Sequence, residues 1–159
     1  MRRDTLFLKI VLILIAFPVL VLSLTWLPWQ AILESESGPI PDYALILILF
    51  FLYTTAIPFL FALLQTWKIL NYIDKGIAFS ELSVKAIKYI KYCALFILSL
   101  YLIALPFLYY IAEQDDAPGV FALGLIVAFA CVIVSVFASV FYKLLKNAID
   151  IKTENDLTV

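Results

Sequence analysis

Residues 118–142 read PGVFALGLIVAFACVIVSVFASVFY, and no charged side chain interrupts them. Two architectures satisfy every backbone polar group in lipid, the α-helix and the closed β-barrel. A barrel strand needs about ten residues of alternating polarity, whereas this run is continuous and far longer. It reads as a helix, since about 20 apolar residues of helix cross a hydrocarbon core. Gly124, Ala128, Cys131, Ser135 and Ala138 follow one another at steps of four, three, four and three. That spacing puts the small side chains on one helix face, in heptad register. Small residues let helix backbones approach closely. The stripe is expected to pack inside the chain, with a homodimer seam as the alternative.

Three further stretches share this character, at about 6–29, 43–67 and 93–112. The whole chain is 65% hydrophobic and 14% charged, with a mean hydropathy of +1.09, outside the range of soluble domains. The four stretches leave no room for a separate soluble unit. The expected fold is all-α, a polytopic membrane protein with four transmembrane helices in an antiparallel bundle over residues 1–159. The first stretch, MRRDTLFLKIVLILIAFPVLVLSL, also has the basic start and apolar core of a signal peptide. Its apolar run is longer than a signal core, and TWLPWQ follows in place of a small-residue cleavage site. A retained span is therefore expected.

Charge sets the orientation. All eleven Lys and Arg fall in three places: Arg2, Arg3 and Lys9; Lys68, Lys75, Lys85, Lys88 and Lys91; and Lys143, Lys146 and Lys152. The other two loops, ESESGPIPD and EQDDAP, hold acidic residues and no basic ones. The positive-inside rule places both termini and the middle loop in the cytoplasm of a multi-pass protein of the cell membrane. Trp26, Trp29, Tyr43, Tyr109 and Tyr110 then mark the outer interface, and Trp67, Tyr72, Tyr89, Tyr92 and Tyr142 the inner one. Lys85, Lys88 and Lys91 recur every third residue, a basic stripe that reaches toward anionic headgroups.

The connection between the second and third spans belongs to a cytoplasmic helical hairpin over about 68–92. Its tip, DKGIAFSELS at 74–83, carries the signals of an ordered turn. Gly76 suits a left-handed cap with Ile77 packing back on the last turn. Ser80 suits the N-cap of the next helix, Glu81 its dipole, and Phe79 with Val84 the hydrophobic staple. The second helix, unbroken from Asp42 to Lys75 except at Pro58, would run roughly 50 Å at 1.5 Å per residue. Pro18, Pro58 and Pro106 lie inside spans and are expected to shape the bundle by kinking it. Asp116 and Pro118 carry start signals for the fourth helix. Beyond it a cytoplasmic tail, 143–159, turns polar and acidic at Glu154, Asn155 and Asp156 before Leu157. That end is expected either to fray or to dock, on the hairpin or on a partner.

Chemistry is sparse. The chain has no His, and no Asp, Glu, Lys or Arg lies mid-span, which disfavours proton relays and ion-coupled transport. Cys93 and Cys131 show no metal-ligand spacing and are expected to be small apolar residues, so no cofactor is expected. The acidic pairs Glu34/Glu36 and Asp115/Asp116 are expected as solvated flanks. No phosphate loop or nucleophile motif occurs. An enzyme is not expected.

Taken together, ILNYIDKGIAFSELSVKAIKYIKYCAL and the later FYKLLKNAIDIKTENDLTV resemble the bacterial family known as domain of unknown function 2975, over essentially the whole chain. The resemblance implies a small four-span membrane protein, often encoded beside an Xre-type helix-turn-helix regulator. No catalytic residue comes with it. It implies a regulatory or interaction protein that engages such a regulator at the cytoplasmic face without itself binding nucleic acid. The expected surface is Asp74, Lys75, Ile77, Phe79, Ser80 and Glu81 with Glu154, Asn155, Asp156 and Leu157. A pore, immunity factor or carrier for a hydrophobic small molecule is the alternative, suggested by the prolines and the many aromatic residues.

Overall fold

A computed structural model describes residues 2–37, 42–114 and 116–158, all of them helix or short turn. Helix α1 (Arg2–Val21) passes through a π segment (Leu22–Trp26) directly into α2 (Leu27–Ser37). Helices α3 (Asp42–Asp74), α4 (Glu81–Gln114) and α5 (Pro118–Leu157) follow. Four helices are long and apolar enough to cross a membrane: Arg3–Gln30, Ile46–Asp74, Glu81–Gln114 and Pro118–Leu157. The expected spans 6–29, 93–112 and 118–142 lie inside three of them, and 43–67 starts three residues before Ile46, though within α3. Helix α3 has the 33 residues that take it to about 50 Å, longer than the roughly 30 Å hydrocarbon core.

The first span was expected to end near Pro28; the helix instead continues to Ser37. The π segment is how it does so. Pro28 has no N–H to donate and its ring crowds the preceding turn. The Leu27 N–H reaches back to the Leu22 carbonyl, a wide turn that makes room for the ring. The Ser23 carbonyl thereby loses its usual donor, Leu27, and the next candidate donor is Pro28. The hydroxyl of Tyr53 on α3 donates to it at 2.5 Å. A backbone acceptor that lipid would leave unpaired is satisfied by a neighbouring helix. Pro18, Pro58 and Pro106 lie within α1, α3 and α4, each of which is continuous through its proline.

The helices pack in chain order. Helix α1 lies on α3, α3 on α4, and α4 on α5. Among the described residues α5 meets neither α1 nor α3, so the bundle is open along one side. Edge-on ring pairs tie the row together: Phe51 with Tyr101 at 5.3 Å, Phe61 with Tyr89 at 5.9 Å, and Tyr109 with Phe121 at 5.5 Å. Such pairs add about 0.5–1.5 kcal/mol beyond the area they bury.

The small-residue stripe of α5 faces α4. Gly124, Ala128, Ser135 and Ala138 are buried, and α4 is the neighbour that buries them. A Cβ at Gly124 would come within 2.7 Å of Leu108 Cδ1, so any side chain here must displace the tip of Leu108. Cys131, also in the stripe, is only half-buried. A homodimer would need another face.

Helix α5 starts with Pro118 in its first turn, as the sequence indicated, but the N-cap position is Ala117 and carries no side-chain cap. Asp116 sits one residue earlier with a left-handed φ of +49°. Asp tolerates that region better than most residues. The expected acidic flanks Glu34, Glu36 and Asp115 lie outside the described side chains.

Candidate functional site

The turn between α3 and α4 closes as a Schellman motif. Gly76 has φ +71°, its N–H donates to the Ile73 carbonyl at 3.1 Å, and the Ile77 N–H donates to Tyr72 at 2.9 Å. Those two bonds satisfy the last carbonyls of α3. The Ser80 carbonyl accepts the first bonds of α4, from Ser83 and Val84 at 3.0 and 3.2 Å, so Ser80 occupies the N-cap position. Its hydroxyl does not cap: Ser80 Oγ and Ser83 Oγ are both enclosed without a partner among the described residues. Val84 is buried, yet Phe79 keeps 61% of its surface exposed, so the expected staple leaves most of that ring uncovered. Ile77 and Leu82 are exposed as well, as are Lys75 and Glu81. The result is a turn fixed by its backbone that presents apolar side chains outward.

Asp74, which ends α3, is committed within the molecule. Its carboxylate accepts from the Thr5 hydroxyl at 2.5 Å and from Lys9 Nζ at 2.6 Å. Lys9 also lies 5.6 Å from the centre of the Trp67 ring. The pair is largely shielded, with side-chain exposures of 20% and 22%. Sequence reading placed Asp74 in the outward surface and Lys9 in the basic flank, and nothing along the chain linked them. The one available signal was a lone Lys one turn inside an apolar helix, a charge that needs a partner.

Glu154, Asn155, Asp156 and Leu157 are all exposed on the last turns of α5. The tail is helix up to Leu157, and Thr158 closes it by bonding back to the Glu154 and Asn155 carbonyls. No hydrogen bond joins the tail to the turn among the described residues. Gly124 lies beside Leu105 and Leu108. With both helices rising 1.5 Å per residue, the start of α4 is then level with about residue 149 of α5, and the last residues project roughly 12 Å further. The turn and the tail thus share one end of the molecule without touching through hydrogen bonds. That end also holds the Lys88–Tyr92 and Lys146–Tyr142 cation–ring contacts, at 6.0 and 5.8 Å.

A second feature lies midway along the helices. A space of about 700 Å³ is bounded by α3 and α4 behind and by α1 and α5 at its sides. A neighbouring space of about 660 Å³ lies between α3, α4 and α5 toward the acidic loops, and Tyr101 borders both. Neither is lined by a charged side chain. The arrangement offers mostly apolar surface, with Tyr101 and Cys131 as the titratable side chains of the larger space.

The chain is similar to a protein of Bacillus subtilis (strain 168) described as "Uncharacterized membrane protein YoaS": 52% identical over 158 residues, covering 99% of each. No solved structure matches it. The sequence pattern described as "Protein of unknown function (DUF2975)" matches residues 29–159, which leaves α1 outside the match although the curated relative includes it. With four apolar helices of spanning length, and similar to that relative from end to end, the chain is a membrane protein that belongs to the DUF2975 family.

Proposed function

We propose that the protein is a non-catalytic regulatory anchor of the cell membrane. Its α3–α4 turn and the projecting end of α5 face the cytoplasm and engage a small helix-turn-helix transcription regulator. The supporting observation is the exposure of both elements at one end: Ile77, Phe79 and Leu82 on a rigid turn, and residues 150–158 on a helix that runs past its neighbour. Basic residues flank that end in three segments, which favours the cytoplasmic side. The tail complements the proposed partner in charge. Asp150, Glu154 and Asp156 outweigh Lys152 there, and a helix-turn-helix protein carries basic surface for phosphates.

The test is co-purification with the product of the adjacent gene, expected to be a small helix-turn-helix protein. Recovery is expected from the intact protein and is expected to fall at least tenfold when Phe79→Asp is combined with deletion of residues 154–159. Undiminished recovery removes this surface as the contact. The apolar space between the helices favours a second reading, a carrier for a hydrophobic small molecule. A deletion strain with unaltered sensitivity to membrane-active compounds and unaltered lipid composition would argue against it.

A further inference from the structure

The 700 Å³ space between the four helices has a lining that specifies its occupant. Its serine and threonine hydroxyls donate within their own helices. Ser23 Oγ donates to the Leu20 carbonyl at 3.1 Å, Thr55 to Leu52 at 2.8 Å, and Thr66 to Ala62 at 2.9 Å. With no charge in a lining that is almost wholly apolar, a polar substrate or a file of water finds few partners there. The occupant that matches such a lining is hydrocarbon.

Access and size narrow the choice. Helices α1 and α5 do not meet among the described residues, so the space opens sideways, at a depth where the surrounding medium is lipid chains. It exists because Ala56, Ala62, Ala94 and Ala130 stand where larger side chains would close the gap, and because the π segment widens α1 at Leu22 and Trp26. A volume of about 700 Å³ lies within the usual range of about 300–1,000 Å³ for ligand sites. A helix about 10 Å across occupies roughly 400 Å³ per turn, so fewer than two turns of a second copy would fit. A spanning helix needs several times that.

We propose that this space is a binding site for one acyl chain of a bilayer phospholipid, entering between α1 and α5. Such a lipid is neither the cytoplasmic partner nor a transported cargo, so the site goes beyond both readings above and does not depend on either. The alanine lining sets its width, and the uncharged, mostly apolar walls set its preference for a saturated or unsaturated hydrocarbon over anything polar.

The test uses the full chain in phospholipid nanodiscs containing a small fraction of phospholipid with a photoactivatable group in mid-chain. Labelled residues are mapped by mass spectrometry. The expected result is saturable labelling of the lining, at Leu22, Ser23, Cys131 and Val134, above the unsaturable labelling of outward residues such as Leu14 and Phe129. Ala130→Phe and, from the opposite wall, Ala56→Phe are each expected to lower the lining label at least fivefold with Leu14 and Phe129 unchanged. That constancy shows the helices are still in place. Label confined to outward residues overturns the site, as does lining label undiminished in both variants. Competition by a free fatty acid but not by unlabelled phospholipid overturns the choice of phospholipid as the source.

Discussion

At Gly76 the backbone is left-handed, and a Cβ there would meet nothing within 4 Å, so its cost is conformational alone. Gly76→Ala is expected to lower stability by about 1 kcal/mol, measured by unfolding in mixed detergent. Asp74 has the opposite character, since its worth lies wholly in what it touches. Asp74→Ala strands Lys9 in a shielded position and is expected to cost about 2 kcal/mol. A double-mutant cycle of Lys9→Met with Asp74→Asn is expected to show a coupling of about 1 kcal/mol, and additive effects would mean the contact contributes nothing. Ser83 is a residue whose removal should help. Its hydroxyl is enclosed without a partner and the residue is only 1% exposed, so Ser83→Ala is expected to raise stability by about 1 kcal/mol. Of these residues, Gly76 was legible in the sequence because a helix ending in Gly followed by an apolar residue announces its own geometry. The Lys9–Asp74 pair was not, because its members are brought together only by the packing of α1 on α3.

At the scale of the elements, the continuous apolar runs carried nearly all the information. Lipid permits helices and punishes unpaired backbone, so length and hydropathy placed four spans that the structure reproduces. The stripe at Gly124, Ala128, Ser135 and Ala138 was equally readable as a seam, but not its partner, since α4 carries no matching signature. Gly124→Leu is expected to push α5 from α4 and cost about 1–3 kcal/mol. Gly124→Ala is expected to cost much less, because the atom it meets is the tip of Leu108, beside the 660 Å³ space. Equal losses for the two would show that the approach of the helices is not what the glycine secures. The continuation of the first helix through Pro28 escaped sequence reading for a physical reason. A proline ends most helices, and here the lost bond is offset by a π turn and by Tyr53, thirty positions away.

Across the whole molecule, the four helices form a row folded around an apolar space, with the α3–α4 turn and the end of α5 at one pole and the start of α3 and the end of α4 at the other. Charge asymmetry along the sequence predicted that polarity, but not the open side between α1 and α5, which depends on side-chain volumes and helix shape. The proposed role requires both exposed elements to lie in the cytoplasm. Single cysteines introduced by Phe79→Cys, Leu157→Cys and Asp116→Cys, each with Cys93 and Cys131 replaced by Ser, test this with a membrane-impermeant maleimide. The account predicts that positions 79 and 157 are protected in intact cells and react in inverted vesicles, whereas position 116 reacts in intact cells. Labelling of positions 79 and 157 from opposite sides, or of both from outside intact cells, would contradict it.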